Sequence, residues 1–189
     1  MAGTIIQDVR TRFNEAIGSI RVITFLSPTC GPCRYGQGLV RGLFEEFPDK
    51  KLAGYLIWVP MLPADSLDSA MAEQNAIIDS RLHFWFDDDK SAANTWSSFI
   101  DLPTTSWDVY AVYDARVAWA DGAPPPVPRI WMHQLNATPA TKPEDRLDPN
   151  KLAREWLLLL EKPIDSDPQL AVRLHAKGQA ISVRNELPS

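Results

Sequence analysis

Two cysteines, Cys30 and Cys33, stand three positions apart and are the whole supply of thiols in a chain of 189 residues. A disulfide-stapled secreted domain spreads its cysteines to close long loops, and a pair closing so small a loop adds little entropic stability. The spacing suits chemistry instead. A helix starting at the pair would aim its unpaired N–H groups and the positive end of its dipole at the Cys30 sulfur. That favours the thiolate, the nucleophile of disulfide exchange. Cys33, one turn further on, could then attack a mixed disulfide at Cys30 and release the bound substrate. Between them, Pro32 lacks only an N–H that a first turn leaves unused, and Gly31 permits the tight geometry.

Positioning such a pair requires a strand before it and a helix after it. Ile20 to Leu26 reads as a short buried strand, broken by Ser27-Pro28-Thr29, and Pro32 to Phe47 as a helix with Leu39, Val40, Leu43, Phe44 and Phe47 on its apolar stripe. Gly36, Gly38 and Gly42 inside that helix each cost about 1 kcal/mol relative to Ala, which points to close approach of a neighbour. Ala53 to Leu62 reads as a second buried strand, completing a right-handed βαβ unit. An amphipathic helix over residues 4–18, ended by Gly18, precedes it. After it the pattern predicts a helix from Ser66 to Arg81, with Leu67, Met71, Ile77 and Ile78 inward. A short strand from His83 to Phe86 follows, and then a helix from Ala92 to Ile100 headed by the acids Asp87-Asp88-Asp89. Leu102 to Asp114 reads as a loop feeding a strand, with Val117 to Trp119 as its antiparallel partner. Arg129 to Leu135 is a further strand or short helix, residues 136–148 a polar connection, and Pro149 to Leu160 a helix with Leu152, Trp156, Leu157 and Leu160 inward. The expected organisation is one domain over residues 1–161 and a tail over 162–189, with a short helix at most near Gln169 to His175.

The run Thr24-Phe25-Leu26-Ser27-Pro28-Thr29-Cys30-Gly31-Pro32-Cys33-Arg34 resembles the active-site segment of the thioredoxin family, at the strand–helix junction where that family carries it. The resemblance implies an α/β thioredoxin-like fold: a central mixed sheet flanked by helices, with inserted and C-terminal extra segments. It also implies a thiol–disulfide oxidoreductase without a bound cofactor, with Cys30 entering and Cys33 resolving. The family has a cis-proline loop beside its cysteines, just before a strand, that holds substrate backbone. Leu102-Pro103-Thr104-Thr105 resembles that loop, which makes Pro103 the substrate-binding candidate and Pro128 the competing choice. Two departures stand out. Thr29 replaces the tryptophan often found before the first cysteine, and Thr24 stands where the family's buried acid would fall, implying a slower or differently assisted reaction. The likeness is specific over residues 20–60, loose to 120 and absent beyond. Segments such as Trp107-Asp108-Val109-Tyr110 and Trp131-Met132-His133-Gln134-Leu135 suggest a subfamily of its own.

Other function classes find little support. The 24 acidic against 19 basic residues, net −5, form no footprint for nucleic acid or an anionic membrane. No run of 18 apolar residues occurs, and Met1 to Asp8 lacks the pattern of a signal peptide, so the expectation is a cytoplasmic protein. Its partner would be a protein or small-molecule disulfide, with the electron donor left open. Two rivals keep the same cysteines: a binding or redox-sensing module on this fold, and a metal-handling protein using both thiolates. The three histidines, His83, His133 and His175, show no metal-ligand spacing, so no metal site is expected. Trp58 and Trp156 read as core, whereas Trp107, Trp119 and Trp131 are candidates to line a groove near the cysteines. The Gly-Pro dipeptide resembles that of reducing thioredoxins, at about −270 mV, and an uncharged Thr24 moves the expected potential slightly upward.

Overall fold

In the computed structural model, which describes residues 2–136 and 141–183, β1 (Ile20–Leu26) is buried along its whole length at the centre of a five-stranded sheet ordered β3-β2-β1-β4-β5. β2 (Leu52–Trp58) runs parallel to it, from Ile20 opposite Leu52 to Leu26 opposite Trp58. β3 (Leu82–Phe86) extends the sheet in parallel beyond β2. On the other side β4 (Val109–Tyr113) pairs antiparallel with β1, and β5 (Ile130–His133) antiparallel with β4. This is the mixed sheet expected.

Strand side chains alternate between two faces, and each face carries its own core. Val22, Leu26, Leu56, Trp58, Tyr110 and Val112 pack under α2 (Gly31–Glu46), α5 (Pro149–Leu159) and α6 (Leu170–Ser182). Ile23, Phe25, Tyr55, Ile57 and Tyr113 pack instead with side chains of α1 (Ala2–Glu15) and α4 (Ser91–Phe99). Gly18 has a φ of 94° in the turn beyond α1, a conformation that favours glycine. Asp87 heads α4 as expected, accepting the N–H groups of Ala92 and Ala93 at 3.2 and 2.8 Å. No helix among the described residues is long and apolar enough to cross a membrane.

Four expectations need correction. β2 stops at Trp58 rather than Leu62, because Pro60 and Pro63 have no N–H to extend a ladder. α3 (Leu67–Asn75) ends six residues before Arg81 and buries only Ala70, while Leu67, Met71 and Ile78 are exposed. Arg81 accounts for that ending: its guanidinium pairs with Asp79 and donates to the carbonyls of Phe44 and Phe47 at the end of α2, which requires a turn there. Val117 to Trp119 is not a strand. Its backbone is claimed by the Asn14 amide, which donates to the Trp119 carbonyl at 2.8 Å and accepts the Trp119 N–H at 2.9 Å, so β4 takes β5 as its second partner.

The fourth correction concerns the tail. A thirteen-residue helix, α6, lies against α2 where a short helix at most was expected. It supplies the close approach at Gly38 and Gly42, whereas Gly36 has the Tyr110 side chain of β4 against it. A Cβ on Gly38 would sit 2.7 Å from the Gly178 Cα, and one on Gly42 would sit 2.9 Å from the Leu174 Cδ2. Arg173 pairs with Glu46 at 2.8 Å, the Tyr35 hydroxyl lies 2.7 Å from His175 Nδ1, and the Ser182 hydroxyl reaches the Gly31 carbonyl at 3.4 Å. Residues 184–189 of the expected tail, and 137–140 of the polar connection, lie outside the described residues.

Candidate thiol–disulfide site

β1 delivers the chain to the top of the sheet, and the turn over residues 27–29 hands it to α2 with Cys30 as the N-cap. Cys30 is extended, at φ −79° and ψ 120°, and its sulfur accepts the Cys33 N–H at 3.3 Å. The helix end therefore does aim an unpaired donor at this sulfur. Pro32 occupies the first turn, where its missing N–H costs nothing. The two sulfurs are not bonded to one another. Cys33 is sealed in the core and its sulfur accepts the Ser27 N–H at 3.4 Å, while Cys30 keeps 6% of its surface.

The two thiols are electrostatically unlike. The Cys33 thiol donates toward the Cys30 sulfur, and this, with the Cys33 N–H, pulls Cys30 below the ordinary thiol range despite its burial. Burial holds Cys33 well above that range. Cys30 is thus the ready nucleophile, and Cys33 keeps its proton.

Asp65, in the loop after β2, fixes the turn that presents Cys30. It accepts the Thr29 N–H and hydroxyl at 3.0 and 2.6 Å, the Ser27 hydroxyl at 2.7 Å, and the Met61 and Leu62 N–H groups at 2.8 Å each. Partial burial alone would raise its pKa. The hydrogen bonds, led by the Thr29 hydroxyl, outweigh that and hold it below the usual carboxylate range.

Sequence reasoning passed over the most consequential neighbour. Asp108 stands at the mouth of β4 with a left-handed backbone, φ 54°, and is buried beside the thiols. One of its carboxylate oxygens and the two sulfurs lie within 4.8 Å of one another. Tyr110 donates its hydroxyl to Asp108 Oδ1 at 2.7 Å, and Gln134 Nε2 donates to the same oxygen at 2.8 Å. Gln134 Nε2 also reaches the Pro32 carbonyl at 2.7 Å and the Tyr110 hydroxyl at 3.3 Å. Desolvation raises the Asp108 pKa, against the pull of those two donors. The available signal was a lone acid, Asp108, in Ser-Trp-Asp-Val at the start of an apolar strand. Thr24, on β1, is buried with its hydroxyl unpartnered.

Pro103 needs correction. No peptide bond among the described residues is cis, and Pro103 is an exposed residue near the end of α4. The strand it was expected to precede starts only at Val109. Between them the chain is tied to α4, through Thr105 to Asn94 at 2.8 Å and Ser106 to Ser97 at 2.9 Å. Pro128 is no substitute. It is also trans and lines a separate hollow with Trp96, Phe99 and Trp131. The cavity beside Cys30, about 300 Å³, is lined instead by Pro32, Thr104, Trp107, Asp108, Gln134 and Leu135 among others. Of the three groove tryptophans only Trp107 reaches it; Trp119 is buried against Phe13 and Trp96.

A metal would find two thiols and one carboxylate here. Among the described residues no histidine joins them: His83 stacks on Tyr55, His133 accepts the Leu135 N–H, and His175 pairs with Tyr35. The set falls one ligand short of a closed tetrahedral structural site.

With β3 set aside as an insertion, the sheet order β2-β1-β4-β5 joins a βαβ unit to an antiparallel pair followed by a helix, with Cys-x-x-Cys at the first helix start. The fold is thioredoxin-like, and its paired cysteines are consistent with thiol–disulfide chemistry. Among solved structures, a hypothetical protein of Sinorhizobium meliloti superimposes with a TM-score of 0.50 at 14% identity, over 80% of this chain and 75% of its own. A thioredoxin-like protein in the oxidised form gives 0.48 at 16%, over 77% and 80%. A thiol:disulfide interchange protein of the thioredoxin family from Chlorobium tepidum gives 0.41 at 17%, over 59% and 74%. No family model and no curated protein matches the chain.

Proposed function

We propose that this protein is a thiol–disulfide oxidoreductase that cycles Cys30 and Cys33 between dithiol and disulfide. The observation that carries the reading is the pairing at the helix start: a Cys30 sulfur receiving the Cys33 N–H at 3.3 Å, above a Cys33 that is fully buried. The Cys30 thiolate attacks a substrate disulfide, forming a mixed disulfide and expelling one substrate thiolate. Cys33 then attacks the Cys30 sulfur, closing the internal disulfide and expelling the second. Two electrons pass from the dithiol to the substrate, and an external dithiol restores the enzyme. The small opening over Cys30, walled by Trp107 and Gln134, favours a small disulfide or one in an extended segment.

The test is catalysed reduction of insulin and of oxidised glutathione with dithiothreitol as donor. Cys30→Ser should abolish turnover, and Cys33→Ser should accumulate a mixed disulfide detectable by mass. A protein that forms the internal disulfide yet reduces neither substrate would instead be a redox-sensing module.

A further inference from the structure

The exchange proposed above leaves one proton without a destination. Once Cys30 is bound to substrate, Cys33 must lose its proton before its sulfur can attack, and Cys33 is sealed from solvent. The groups facing it come from several elements. β1 contributes Thr24, which is neutral, and α2 contributes Cys30, by then in a disulfide. β4 contributes Tyr110, whose phenol is pushed far up by burial, and two positions before it, at the mouth of the same strand, stands Asp108. The segment after β5 contributes Gln134, which does not titrate. Arg146 acts on Asp108 through space, and Asp65 acts likewise on Cys30.

Asp108 is the one carboxylate in this set with an oxygen within 4.8 Å of the Cys33 sulfur. Resting on the exchange reading, we propose that Asp108 is the catalytic base that takes the Cys33 proton during resolution, a role served from the mouth of β4 while β1 offers only Thr24. The Cys33 S–H bond breaks and an O–H bond forms on Asp108. The freed sulfur pair attacks Cys30, the Cys30–substrate bond breaks, and the leaving sulfur takes that electron pair and later a proton. Tyr110 and Gln134, both donating to Oδ1, keep the buried carboxylate ionised enough to accept, and Gln134 ties it through the Pro32 carbonyl to the motif itself.

The experiment is stopped-flow reaction of the reduced protein with dithiobisnitrobenzoate, an aromatic disulfide. Its first thiolate is released by Cys30 and its second by Cys33, and loss of the second in Cys33→Ser confirms that assignment. Asp108→Asn should leave the first release within about threefold and slow the second about a hundredfold, the scale of general-base assistance. Tyr110→Phe removes one donor from the carboxylate and should move the pH midpoint of the second release up by about one unit, a shift that a packing role would not produce. That variant decides the matter if Asp108→Asn does not fold. An unchanged second release in Asp108→Asn, or an unmoved midpoint in Tyr110→Phe, overturns the role. Absence of the first release in the native protein overturns the exchange reading and this role with it.

Discussion

Removing the Asp65 carboxylate should loosen the turn before Cys30, and the cost can be worked from its five donors. Two are the hydroxyls of Ser27 and Thr29, which can rotate toward other acceptors. The Leu62 N–H is exposed and water can satisfy it. The penalty therefore falls on the partly buried N–H groups of Thr29 and Met61, at roughly 1–3 kcal/mol each before discounting for solvent. Asp65→Ala should then lose about 2–3 kcal/mol of a total stability of roughly 5–15 kcal/mol. Asp65→Asn should recover little. Its NH₂ must face either the Thr29 N–H or the Met61 and Leu62 N–H groups, and donor would oppose donor.

The pH dependence has a definite sign. The folded-state pKa of Asp65 lies below the unfolded value of about 3.9. Its contribution is thus complete above that value and disappears as the pH falls through the folded pKa. Urea denaturation near neutral pH should show the full gap between wild type and either variant, and the gap should close as the pH falls below the unfolded carboxylate value and through the lower folded one. Iodoacetamide modification gives a local readout: with the turn released, Cys30 should lose part of its N-cap stabilisation and react more slowly at neutral pH. If both variants lie within about 0.5 kcal/mol of wild type, the clamp has been misread.

Three further outcomes follow from the same geometry. Ultraviolet titration of thiolate absorbance should show one ionisation below the free-thiol value of about 8.5, lost in Cys30→Ser, and a second well above it, lost in Cys33→Ser. Gly38→Ala, whose Cβ would meet the Gly178 backbone at 2.7 Å, should lower stability by about 1–2 kcal/mol in thermal or urea melts despite the better helix propensity of Ala. Arg21→Met should cost about 2–4 kcal/mol by the same melts, because the buried guanidinium serves the carbonyls of Ser19, Phe13 and Asp114.

Legibility followed how local each determinant is. β1 matched its reading end to end, since seven successive buried residues between a positive-φ glycine and a proline turn leave one solution. α2 was equally plain, because a cysteine N-cap, a first-turn proline and a closing Pro48 are all written in sequence order. What failed depended on partners far along the chain. The end of α3 is set by Arg81 bonding back to α2, and the backbone of Trp119 is taken by Asn14, 105 positions earlier. The glycines of α2 announced a neighbour without an address. For Gly38 and Gly42 that neighbour is α6, whose own buried stripe is only Leu170, Leu174 and Ile181 with Gly178 in its gap, where the two backbones meet.

The site divides along the same line. The Cys30–Cys33 pair was visible because its chemistry is encoded within four residues, whereas the carboxylate that faces it is encoded 75 positions away from Cys33. An acid was sought on β1 at Thr24, where the resemblance put it, and its absence there argued for a slower reaction and a slightly higher potential. Thr24 and Tyr110 are opposite one another in the β1–β4 register, and Asp108 is two positions before Tyr110, bonded to its hydroxyl. A negative group is therefore restored to the same end of the sheet from the antiparallel neighbour. Wherever it is ionised it disfavours the thiolates and hence the reduced state, which pulls the potential back toward the reducing value of about −270 mV. The upward shift argued from Thr24 alone loses its basis once Asp108 is counted.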